Sequence, residues 1–110
     1  MKLPGAEHAV VEISKLRDYC LNPQHPRGRH KARVIASALG FTAADSDVLR
    51  QALSDAAAQY DVKLGEKDDY GQRYMLDFPL TGPAGEALVR SNWIVLTGED
   101  FPRLTSCYVL

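Results

Sequence analysis

The chain has 110 residues, 45% hydrophobic and 25% charged, with a net charge of −1. This bounds it to one domain, residues 1–110, with an ordinary globular balance and no gross polyelectrolyte character. Two cysteines are too few for a disulfide framework, no run reaches transmembrane length, and Met1-Lys2-Leu3-Pro4-Gly5 leads into no signal-peptide core, so the expectation is a cytoplasmic chain with no membrane partner.

In chain order, residues 1–9 read as an irregular lead-in, and Val10, Val11 and Ile13 as a short extended piece. Ser14 is a candidate N-cap for a helix over 15–21, whose Leu16, Tyr19 and Cys20 follow helical spacing. Asn22-Pro23 ends it. A second helix is expected over 29–39, with Ala32, Ile35, Ala38 and Leu39 buried and Gly40 past its C-terminus. Thr42-Ala43-Ala44-Asp45 has the form of a capping box, with Asp in place of Glu or Gln. It opens a third helix over 43–60, with an apolar stripe of Val48, Leu49, Ala52, Leu53, Ala56, Ala57 and Tyr60.

After Tyr60 the period changes from 3.6 to two. A short strand is expected over 62–64, a charged turn over 66–71 and a strand over 72–80 with Tyr74, Leu76, Phe78 and Leu80 on one face. Thr81-Gly82-Pro83-Ala84-Gly85 reads as a hairpin loop. Strands over 86–97 and 103–109 follow, separated by a turn at Gly98–Pro102. Helices followed by a meander make an α+β domain. Its N-terminal helices pack on one face of a three- or four-stranded antiparallel sheet, with helix 43–60 over Tyr74, Leu76 and Phe78. The other face is left for function.

The chemistry concentrates in Asn22–Arg33. This stretch holds His25 and His30 with Arg27, Arg29, Lys31 and Arg33, and Pro23 and Pro26 restrict its backbone. Between Lys15 and Arg33 the net charge is +5, leaving −6 for the remainder. A local basic patch on a neutral domain suits a phosphate-bearing ligand, although a charge run alone usually means a solvated surface. Histidine is the default general acid or base near neutral pH; the plain alternative makes His25 a turn residue and His30 a surface residue at a helix start. Arg90 lies mid-strand, and on an uncovered face it can hold a phosphate bidentately, with Asn92 beside it. In the last strand, strict alternation puts Thr105 on one face and Ser106 with Tyr108 on the other. Cys20, His25, His30 and Cys107 lack the tight cysteine pair of a structural zinc site, so no metal and no other cofactor is expected. Common nucleotide, metalloprotease and hydrolase motifs are absent.

The chain resembles a small bacterial domain family with the pattern L-N-P-x-H-P-x-G-x-H-K-A-R-V, seen here from Leu21 to Val34. Further matching pieces are Tyr70–Tyr74, Leu80–Pro83, Val89–Trp93 and Pro102–Tyr108, so the likeness spans nearly the whole chain. In layout the family is similar to the barnase–EndoU–colicin–RelE superfamily of ribonuclease toxins, which carry the active site on a four-stranded sheet after N-terminal helices. Toxin-tip domains of that group end in a Thr-x-Tyr or Thr-Ala-Tyr-Pro strand. Thr105 and Tyr108 stand in similar places, but Cys107-Tyr108-Val109 departs from the Tyr-Pro ending.

The resemblance implies a metal-independent endoribonuclease toxin, with RNA as substrate and a cognate antitoxin or immunity protein as partner. His30 is the expected base, Lys31 and Arg90 the stabilisers of negative charge, His25 the acid, and Thr105 the residue that positions the phosphate. Arg27, Arg29, Arg33, Asn92, Ser106 and Tyr108 are expected to bind substrate. The alternative is a non-catalytic partner-binding module, antitoxin- or immunity-like, whose basic patch meets an acidic protein face. A passive RNA binder fits less well, because exposed stacking aromatics are few.

Overall fold

Residues 85–96 form one of the two inner strands of the sheet, paired on both edges. The computed structural model describes all 110 residues. Three helices precede four strands: α1 (Ile13–Lys15), α2 (Arg29–Leu39), α3 (Ser46–Gln59), then β1 (Lys63–Lys67), β2 (Gly71–Gly82), β3 (Gly85–Leu96) and β4 (Arg103–Val109). The strands form one antiparallel sheet in the order β1-β2-β3-β4. This is the expected α+β meander, and no helix is long and apolar enough to cross a membrane.

One face of the sheet is covered. Tyr74, Leu76 and Phe78 of β2, Val89, Ser91 and Trp93 of β3, and Leu104 and Cys107 of β4 are buried beneath the helices. Helix α2 lies over β2, β3 and β4 through Ile35 and Leu39, while α3 brings Leu49, Leu53, Ala56 and Ala57 into the same core. The expected stripe of α3 was too wide, since Val48 is 55% exposed and Tyr60 is also exposed. The helix rests on the core along one narrow side, and Val48 lies about 100° round the axis from Leu49.

The first helical segment also differs from expectation. Ile13–Lys15 continues into a π-turn over Leu16–Cys20, closed by the Leu21 N–H donating to the Leu16 carbonyl at 2.8 Å. An α-helix would rotate Leu21 well away from Leu16; the wider π-turn lets Leu16, Cys20 and Leu21 all reach the core. Upstream, Val10 is extended and forms a parallel bridge with Arg103 at the β4 edge. The capping box is present: Thr42 and Asp45 cap a single turn over Ala43–Asp45 that leads into α3.

The hairpin between β2 and β3 is tighter than the five-residue loop expected. Gly82 pairs with Gly85, so only Pro83 and Ala84 connect the strands. The tip is fastened to the end of α2, where Gly40 takes φ 80° and the Ala84 N–H donates to the Leu39 carbonyl at 3.1 Å. A Cβ on Gly82 would lie 2.2 Å from that same carbonyl oxygen. Gly82→Ala should therefore cost about 1–3 kcal/mol, the usual range for overpacking, because backbone at a helix end cannot swing aside. Chemical denaturation checks this; an unchanged midpoint would show the junction to be loose.

Candidate functional site

The uncovered sheet face carries side chains in three cross-strand rows. In the first, Asp77, Arg90 and Tyr108 stand side by side on β2, β3 and β4. In the second, Met75, Asn92 and Ser106 do so. In the third, Arg73, Ile94 and Arg103 do so. Rows lie about 7 Å apart, two residues of strand rise.

The first row holds an ion pair within the row itself. Arg90 donates from Nε and Nη2 to the two carboxylate oxygens of Asp77, both at 2.9 Å. That bond above all keeps the guanidinium protonated, and Tyr108 beside it adds to the effect against partial desolvation. At the β4 edge, Lys31 from the first turn of α2 sets its ammonium 4.6 Å from the centroid of the Tyr108 ring. On the far side, the positive charge of Lys63 acts on Asp77 from β1. Lys31 and Lys63 have no carboxylate partner within ion-pair distance, so two uncompensated ammonium groups flank an arginine already paired.

Asp77 is one of the residues missed from sequence. Its carboxyl is held below the usual range by the hydrogen bonds from Arg90, then by the charges of Arg90 and Lys63, against desolvation. A carboxyl lowered in the folded state stabilises above the unfolded value, about 3.9, and loses that contribution as pH falls through the folded value. The gap in melting temperature between wild type and Asp77→Asn should be constant from neutrality to pH ~5 and shrink below pH ~4. A gap that persists undiminished at pH ~3 would show that ionisation of Asp77 is not what stabilises.

The second row contains a correction. Asn92 pairs with Ser106 but Trp93 pairs with Leu104, so Thr105 is an extra residue, a β-bulge. Strict alternation fails there, and Thr105 and Ser106 both lie on the uncovered face while Leu104 and Cys107 stay in the core. The Thr105 hydroxyl donates to the Asn92 carbonyl at 3.1 Å, and the Ser106 hydroxyl accepts from Asn92 Nδ2 at 3.0 Å.

Besides its prolines, the basic loop is held by hydrogen bonds of its own, two of them to His25. Its Nδ1 accepts the backbone N–H groups of Arg27 and Gly28, both at 3.1 Å, and its ring meets Tyr19 edge-on at 4.7 Å. Asn22 Oδ1 accepts the Gln24 N–H at 2.9 Å. His25 is therefore neutral at Nδ1 and carries its proton on Nε2. His30 is exposed on the first turn of α2, next to Lys31. Arg27, Arg29 and Arg33 are exposed and without carboxylate partners. Cys20 and Cys107 are buried together in the core, and no three metal-ligating side chains come together.

No curated protein matches the sequence. A chain of the contact-dependent growth inhibition toxin–immunity protein complex from Klebsiella pneumoniae 342 is similar in structure, with a TM-score of 0.69 over 92% of this chain and 99% of that one, at 16% identity. The two share a fold. From residue 2 to residue 110, helices, meander and basic loop together match a single family model, and the chain belongs to that family, a domain of unknown function, DUF6883.

Proposed function

We propose that this domain is a metal-independent endoribonuclease toxin acting on the uncovered sheet face. The observation that carries the reading is Lys31 lying over Tyr108, which joins the basic start of α2 to the strand row holding Arg90. The fold shared with a chain of a toxin–immunity complex supports a toxin- or immunity-related role and a cognate protein partner.

Cleavage by this face runs as an internal transfer. His30 accepts the proton of the ribose 2′-hydroxyl, the 2′-oxygen attacks phosphorus, and the bond to the 5′-oxygen breaks, leaving a 2′,3′-cyclic phosphate. Lys31 and Arg90 carry the negative charge that grows on the phosphoryl oxygens. Ser106, whose hydroxyl hydrogen is free, orients the phosphate from the adjoining row, and Thr105 positions it indirectly by fixing the strand at Asn92. His25 is assigned to holding the loop, because protonating its Nδ1 would break two backbone hydrogen bonds. The departing 5′-oxygen takes its proton from the Tyr108 hydroxyl, beside Arg90.

Incubation of single-stranded RNA with the protein in excess EDTA tests this. Wild type should leave cyclic-phosphate ends, and His30→Ala should lower the rate by about 10²–10⁴-fold, the range for a general base. Cleavage that needs an added divalent cation, or that survives His30→Ala, would overturn the assignment.

A second reading is a non-catalytic partner-binding module. The pairing of Arg90 with Asp77 favours it, since a guanidinium held by a carboxylate is less available to phosphate. Under that reading, substitutions in the charged row weaken partner binding by graded amounts and no RNA is cut.

A further inference from the structure

We propose that the pocket adjoining the charged row is a nucleobase subsite, so that the face takes one nucleotide with its phosphate at Arg90 and its base over Met75. This rests on the ribonuclease reading and adds to it the part of the substrate that is read.

The pocket has a volume of about 360 Å³; Arg73, Met75, Asn92 and Thr105 contribute to its lining from the uncovered face, and Tyr74 and Trp93 also border it. That is at the small end of ligand sites, enough for a base with its ribose. Its chemistry is mixed in the way a base requires. Met75 gives an apolar, polarisable surface for a π-system. Arg73 supplies a planar guanidinium whose Nε donates to Asp68 at 3.2 Å, and Asp68 is itself held by the Tyr70 and Gly71 N–H groups at 2.9 and 3.2 Å. A guanidinium fixed this way is a ready stacking plane. Asn92 uses one amide hydrogen on Ser106, which leaves its Oδ1 and its second hydrogen for the hydrogen-bonding edge of a base. An acyl chain would leave both the Asn92 amide and the Arg73 guanidinium unmatched.

Position supports the same occupant. Asn92 is two residues along β3 from Arg90 on the same face, about 7 Å, which is the order of the reach from a phosphate to its own base. The uncompensated ammonium of Lys31 lies beyond Arg90 at the β4 edge, so a strand of RNA can run across the row with one base turned into the pocket.

The test compares binding of the four 3′-nucleoside monophosphates with ribose 5-phosphate by calorimetry or NMR titration. At least one nucleotide should bind about tenfold or more tightly than ribose 5-phosphate, the increment expected from stacking one base. Met75→Trp, which fills the pocket, should bring the ratio of nucleotide to ribose 5-phosphate affinity down to about one. Asn92→Ala should flatten the preference among bases, so the test stands even if Met75→Trp fails to fold. Arg90→Ala should weaken nucleotides and ribose 5-phosphate alike. Nucleotides that bind no better than ribose 5-phosphate, or a gain that survives Met75→Trp, would overturn the subsite. A base-dependent gain in a protein that cuts no RNA would uphold the subsite and remove the ribonuclease reading instead.

Discussion

Arg90→Ala should lower RNA cleavage by about 10²–10³-fold, the usual loss when one donor to a developing oxyanion is removed. The arginine lies between a carboxylate and a phenol, so its Nε and Nη2 face Asp77 while Nη1 makes no bond to a carboxylate. Arg90→Lys keeps the charge but cannot hold Asp77 and a phosphate in one plane. It should recover only part of the rate, and Lys31→Ala should add to the loss rather than duplicate it. Single-turnover assays on one RNA substrate separate these outcomes. A loss of tenfold or less in Arg90→Ala would take Arg90 out of the reaction.

Trp93→Ala should be the most damaging single change to stability, about 3–5 kcal/mol, against a total of about 5–15 kcal/mol for a domain of this kind. Trp93 is 1% exposed on the covered face, and its indole N–H donates to the Ser91 hydroxyl, which donates onward to the Leu76 carbonyl, each at 2.9 Å. Removing the ring leaves a large cavity under α2 and strips the hydroxyl of its donor. Ser91→Ala isolates the polar part. It keeps the packing and orphans the indole N–H, which should cost about 1–3 kcal/mol. Urea denaturation of both variants checks the order; equal losses would mean the relay, not the ring, dominates.

The sequence makes much of this architecture readable. Period-two spacing from Tyr74 to Leu80 marks the face that meets the helices, and α2 begins and ends where its glycines stand. The register was harder. A five-residue loop at Thr81–Gly85 leaves the facing of Arg90 open by one residue, whereas the two-residue connection puts Asp77 opposite it. Nothing in Leu104-Thr105-Ser106-Cys107 announces an extra residue except that two core-facing residues are three apart. His25 reads as a candidate acid by residue type, and only the loop's backbone shows its Nδ1 occupied. Lys63 went unmarked because its face depends on the strand pairing of β1 and β2, and Arg73 because alternation gives its face but not its neighbours.

Thr105 is, in this light, a supernumerary residue in β4. Without it, Leu104, Ser106, Cys107 and Tyr108 would follow plain alternation, with Leu104 and Cys107 still inward and Ser106 and Tyr108 still outward. The sheet's phase is the same on both sides of the insertion, so the scaffold does not need it. What it provides is a second hydroxyl on the outer face and a local bend toward Asn92. Under the proposed function, what the site gains here is a part added to the strand, separable by subtraction from the fold that carries it.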